Sequence, residues 1–81
     1  MAAGDKPVTT FKHRNISASV FENTTEKDGA KQTFFKVSLR RTFKQGDEFA
    51  SNANFSRDEI PIARLLLDRA WQWIMDAETS S

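Results

Sequence analysis

Eighty-one residues suffice for one small domain, and a chain of this size buries only about 60 to 65% of the surface that its unfolded form exposes. It has no cysteine, which excludes disulfides and thiolate metal sites as stabilisers and makes association with a second copy the expected device. The formal net charge is only +1, but residues 1–57 hold ten Lys or Arg against six acids, a net of +4, while residues 58–81 hold two against five, a net of −3. A polyanion is therefore drawn to the first part of the chain and repelled by the second. The segment Met1–Pro7 has no apolar run resembling a signal peptide, and no later stretch is long enough to span a membrane. A cytoplasmic protein without a membrane partner is expected.

The first seven or so residues and Glu78–Ser81 are small and polar and read as frayed tails, leaving a single domain ordered over about 10–77. From Thr10 to Asn23, Arg14, Ile16, Ala18 and Val20 alternate with Asn15, Ser17, Ser19 and Phe21, the period of a strand, with room for a kink near His13. Thr24–Lys31 carries four charges with Gly29 inside and reads as a mobile connecting loop.

Thr33–Lys44 is the most informative segment, because its alternation gives one long strand two chemically different sides. Phe35, Val37, Leu39 and Phe43 form a core side; Phe34, Lys36, Ser38, Arg40, Thr42 and Lys44 form the other. Three cations, hydroxyls and an aromatic on a flat surface supply phosphate neutralisation and base stacking, which is what a single-stranded nucleic acid requires. Lys36, Arg40 and Lys44 stand four residues apart, about 13 Å at the rise of a strand and roughly two steps of an extended nucleic-acid strand. Phe21 joins that side if the two strands pair antiparallel in register. A merely solvated side is the plain alternative, since antiparallel sheets commonly keep one side polar. Arg41 points by alternation to the core side, where it snorkels to the edge or pairs with Glu22.

Gln45-Gly46-Asp47 signals a tight turn, after which Glu48–Phe55 reads as a third, edge strand. A helix follows. Asp58 is the preferred cap, with Glu59 also suiting the positive end of the helix dipole and Pro61 falling in the first turn. Ser56 with Glu59 offers a capping box instead, which would set Pro61 a turn deeper. At 100° per residue, Ile62, Ala63, Leu66, Leu67, Ala70, Trp73, Ile74 and Ala77 share one arc of about 140° that packs on the sheet. Trp71 and Met75 lie outside it next to Leu67, and these three are the expected dimer interface. Cover by the amino-terminal Val8 and Phe11, or by a curling sheet, is the alternative.

Catalysis has little to stand on. His13 is the sole histidine and has no neighbouring carboxylate in sequence, no metal-ligand spacing occurs, and Gly4, Gly29 and Gly46 stand apart instead of forming a phosphate loop. No enzyme activity, metal, cofactor or small-molecule substrate is expected.

Antiparallel strands followed by one amphipathic helix resemble the single-stranded-DNA-binding coactivator group that includes positive cofactor four and the plant Whirly proteins, with their small bacterial relatives. The likeness covers roughly Phe11–Asp76, and its best segment is Lys36-Val37-Ser38-Leu39-Arg40 with the turn Gln45-Gly46-Asp47-Glu48 behind it. Those proteins are homodimers that hold single strands on the sheet, which implies that role for Lys36, Arg40 and Lys44 and favours DNA over RNA. The chain is also similar to small bacterial proteins that share the Ala18–Asn23 pattern and a comparable helix; that likeness implies no function.

The expectation is an α+β fold, an antiparallel meander of three or four curved strands packed on one C-terminal amphipathic helix. The homodimer binds single-stranded nucleic acid through Lys36, Arg40, Lys44, Phe34, Phe21, Ser38, Lys12 and Arg14. A homodimeric interaction or scaffolding domain with a solvated basic side is the other reading.

Overall fold

In the computed structural model, which describes residues 6–79, four strands form one antiparallel sheet in the order β1-β2-β3-β4. They are β1 (Thr9–His13), β2 (Ile16–Lys27), β3 (Ala30–Gln45) and β4 (Glu48–Asn52), followed by a single 3₁₀ turn (Arg57–Glu59) and helix α1 (Ile60–Thr79). The α+β meander expected from the alternation is thus the fold. Of the expected tails, residues 1–5, 80 and 81 lie outside the described residues. Glu78 and Thr79 are not a frayed tail but the last residues of α1, where the Thr79 hydroxyl donates to the Met75 carbonyl at 2.8 Å.

Tight turns account for two of the three places where the strand boundaries differ from the sequence reading. The alternating run Thr10–Asn23 is not one kinked strand: the chain reverses at Arg14-Asn15, Arg14 takes φ +57°, and His13 pairs with Ile16. Thr24–Lys31 is not a loop: Asp28 (φ +55°) and Gly29 (φ +80°) form a two-residue turn, and pairing runs down to Lys27 with Ala30. Positive φ at both central residues is the type I′ geometry, whose twist matches that of paired strands. The charged residues around it are the solvated arms of a long hairpin. Gly46 at φ +66° similarly lets Gln45 pair with Glu48, and β4 ends at Asn52, short of Phe55.

The core lies between one side of the sheet and α1. Ile16, Ala18 and Val20 of β2 and Ala63, Leu66 and Ala70 of α1 are buried, with Phe11, Phe35, Leu39, Phe55, Ile62, Trp73 and Ile74 packed around them. Phe11, Ala18 and Leu39 occupy one row across three strands, so the small residue makes a trough between two large ones. Alanines at 63 and 70 let the helix backbone settle close to it. Trp73 meets Phe35 edge-on, with centroids 5.6 Å apart and planes at 87°, closing the far end of the core.

The helix is capped two residues earlier than the expected Asp58. The Ser56 N–H donates to the Glu59 carboxylate at 2.9 Å and the Glu59 N–H to the Ser56 carbonyl at 3.0 Å, so Ser56 and Glu59 make the N-terminal cap. Pro61 still escapes penalty, because the turn 57–59 is 3₁₀ and Pro61 is the second residue of the α-helix proper, where no N–H acceptor is waiting.

Candidate nucleic-acid interface

Register fixes what each side of the sheet presents. Residues paired directly across strands share a side, so Ile16 with Arg41, Ala18 with Leu39 and Val20 with Val37 face α1. Ser17 with Arg40, Ser19 with Ser38, Phe21 with Lys36 and Asn23 with Phe34 lie on the open side. From β1, Lys12 joins this side opposite Ser17, and from β4, Phe49 joins it opposite Lys44. The in-register pairing therefore brings together Lys12, Phe21, Phe34, Lys36, Ser38, Arg40 and Lys44.

Every strand residue on the open side is neutral or basic. The strand acids Glu22, Glu26 and Glu48 pair with Phe35, Lys31 and Gln45 and occupy positions on the helix side. No carboxylate of the described residues lies within ion-pair distance of Lys12, Lys27, Lys36, Arg40 or Lys44; the two ion pairs found are Arg41–Glu59 and Arg57–Asp58. Arg40 donates to the Ser51 hydroxyl at 3.1 Å, a neutral contact that holds the guanidinium flat on the surface and leaves its charge uncompensated. The Lys36 ammonium lies 5.7 Å from the centre of the Phe34 ring, setting a cation beside an exposed aromatic.

Two depressions shape this side. One, of about 330 Å³, is lined by Phe21, Asn23, Lys36, Val37 and Ser38. The other, of about 350 Å³, draws Thr10 and Lys12 from β1, Arg14 and Asn15 from the turn, Ser17 from β2, Thr42 from β3 and Phe49 from β4. Arg14 reaches the site as a turn residue; it does not alternate with the β2 core residues. Phe49 is the component that sequence reading missed. It is 75% exposed, and counting across the Gly46-Asp47 turn from Lys44 would have placed it on the basic side.

Arg41 is excluded from the interface. Its Nε donates to the Asn54 carbonyl at 2.9 Å and lies 3.7 Å from Glu59, and the guanidinium stacks on Phe43 at 4.9 Å. The expected partner, Glu22, instead stands opposite Phe35, too far along the sheet to be reached.

On the other side of the molecule α1 packs on β1, β2 and β3 and makes no contact with β4. Leu67, expected within the packing arc, is 42% exposed at its margin, and Trp71 is 53% exposed. Val37, on the helix side of β3, is 36% exposed. A shallow groove of about 670 Å³ follows the outer side of α1 past Pro61, Arg64, Leu65, Leu67 and Asp68.

Among the described residues no group of three or more His, Cys, Asp or Glu is placed to hold a metal ion, and no helix is long and apolar enough to cross a membrane. No protein-family model, curated protein or solved structure matches this chain.

Proposed function

We propose that this protein binds single-stranded nucleic acid, DNA in preference to RNA, along the open side of its sheet and without strong sequence selection. One observation carries the reading: the open side gathers Lys12, Lys27, Lys36, Arg40 and Lys44 with no carboxylate among its strand residues. A surface that serves only solubility mixes both signs, whereas one that tracks a phosphate backbone keeps a single sign. Phe21, Phe34 and Phe49 on the same side supply π-faces for bases. The reading rests on this chemistry and not on the resemblance to the positive cofactor four and Whirly group.

The binding unit is a homodimer formed through the outer side of α1. Leu67, Trp71 and Met75 make an apolar stripe there, beside Arg64 and Asp68. At 100° per residue these five fall within about 100° of one another around the helix. Two copies of α1 packed antiparallel about a two-fold axis at Trp71 would set Leu67 against Met75 of the partner subunit twice, with the two Trp71 side chains between them. That self-complementarity favours a second copy over an unrelated partner.

Titration of an unstructured oligonucleotide at two ionic strengths tests the function. Log affinity falls as log salt rises, by about 0.7 per phosphate contacted. Absence of retention by micromolar protein at low salt overturns it in favour of an interaction domain with a solvated basic side.

A further inference from the structure

The cations and aromatics of the open side are not evenly spread. Phe21, Phe34 and Lys36 gather where β2 and β3 leave the core, and Phe49, Lys12 and Arg14 gather at the opposite end, around a depression to which all four strands contribute. Between them lie Ser19 and Arg40, with Ser17 and Thr42 at the inner edge of that depression and Ser38 at the inner edge of the other; these hydroxyls are too short to grip a base but able to donate to phosphate oxygens. Lys44, opposite Phe49, stands eight residues along β3 from Lys36, opposite Phe21, which is about 26 Å at the rise of a strand.

Resting on the nucleic-acid reading, we propose that the open side is a two-ended site that seats two bases about four nucleotides apart. One base stacks on Phe49 in the depression beside Lys12 and Arg14; the other stacks at Phe34 and Phe21 beside Lys36. The intervening phosphates lie over Arg40 and the hydroxyl strip. Both ends have the same construction, an aromatic face with a cation next to it, which holds a base and its own phosphate together. The centre has only the phosphate half of that construction. Bases between the two anchors are therefore unread and free to turn outward. The protein's shortest good ligand is a single strand long enough to span both ends, and the Glu26–Lys31 tip of the hairpin lies beyond it.

Oligothymidylates of two to eight nucleotides, titrated by anisotropy at low salt, test the inference. Affinity rises by about tenfold or more between three and five nucleotides and gains little beyond. Phe49→Ala removes that step, so that long and short oligomers bind alike, whereas Lys31→Ala, at the tip of the arm on the helix side, leaves it in place. Phe49→Trp places a fluorophore that is quenched by oligomers of five nucleotides. Because Phe49 is largely exposed, an unchanged melting temperature confirms that each variant is folded. Binding that strengthens smoothly with length, or a length step that survives in Phe49→Ala, overturns the two-ended site while leaving the proposed function intact. Absence of binding at every length overturns both.

Discussion

Arg41 and Glu59 are 18 residues apart in the chain and 3.7 Å apart in the fold, and between them they join the third strand to the start of the helix. Glu59 also accepts the Ser56 N–H, so one carboxylate closes the helix cap and anchors the guanidinium that would otherwise sit unpaired on the core side. The Ser56 backbone bond is the leading cause that holds the Glu59 carboxyl below its ordinary value; desolvation, the next largest effect, opposes it, and the Ser56 side chain, Arg41 and Asn15 add to the lowering.

A lowered carboxyl pKa fixes the sign of a pH effect. The stabilisation from Glu59 is complete above the unfolded carboxylate value and is lost as pH falls through the lower, folded one. The wild-type melting temperature should therefore fall on acidification. Glu59→Gln should melt lower than wild type near neutrality and lose less between about pH 5 and pH 3. Melting curves that stay parallel across this range would show that the carboxylate is not coupled to folding.

The close seat of α1 on Ala18 depends on small side chains at Ala63 and Ala70. Ala70→Leu should force the helix off the sheet and cost about 1 to 3 kcal/mol through overpacking, and Leu66→Ala should cost about 2 to 5 kcal/mol through the cavity it leaves. With Ile16, Ala18, Val20, Ala63, Leu66 and Ala70 the only buried apolar residues among those described, either loss is a large share of the total. Denaturant midpoints read both, and an unshifted midpoint for Ala70→Leu would mean that the helix does not sit close.

At the outer side of α1, Trp71→Glu should give monomers in sedimentation with the helical signal retained, since Trp71 is already half exposed in the single chain. Leu67→Asp and Met75→Asp should each weaken association, because each sets a charge against the apolar side chain that faces it across the two-fold axis. An unchanged mass for Trp71→Glu places the interface on another surface. A full dimer for both Leu67→Asp and Met75→Asp beside a monomeric Trp71→Glu rejects the antiparallel crossing.

Period-two alternation made the sheet legible, because Ile16–Val20 and Phe35–Phe43 must put apolar side chains on one side whatever their partners are. The helix was legible for the same reason at period 3.6. What the alternation does not contain is where a strand reverses. Arg14-Asn15 continues the alternating pattern straight through a turn, and Asp28-Gly29 is a hairpin signal hidden among charges that suit a loop equally well. Missing the second turn also concealed the length of β2 and β3. Alternation put Arg41 on the correct side but not with its partner, because Glu59 comes from a helix whose position over the sheet no strand pattern encodes. Phe49 escaped because β4 is short and alternates weakly, so its side is set by register across the Gly46 turn and not by its own neighbours.

Arg40 and Arg41 are adjacent in sequence and opposite in role, which gives the strongest internal control on the proposed function. Arg40 lies on the open side with only the Ser51 hydroxyl as a partner, while Arg41 is held by Asn54, Glu59 and Phe43 on the other. Arg40→Ala with Lys36→Ala should lower the salt slope of oligonucleotide binding by about one unit or more while leaving the melting temperature nearly unchanged, because each lost phosphate contact removes about 0.7 from the slope. Arg41→Ala should do the reverse, lowering the melting temperature and keeping the slope. If the two variants lose affinity and slope equally, binding follows total charge and is not localised on the open side. If Arg41→Ala alone changes the slope, the nucleic acid runs over the helix side instead.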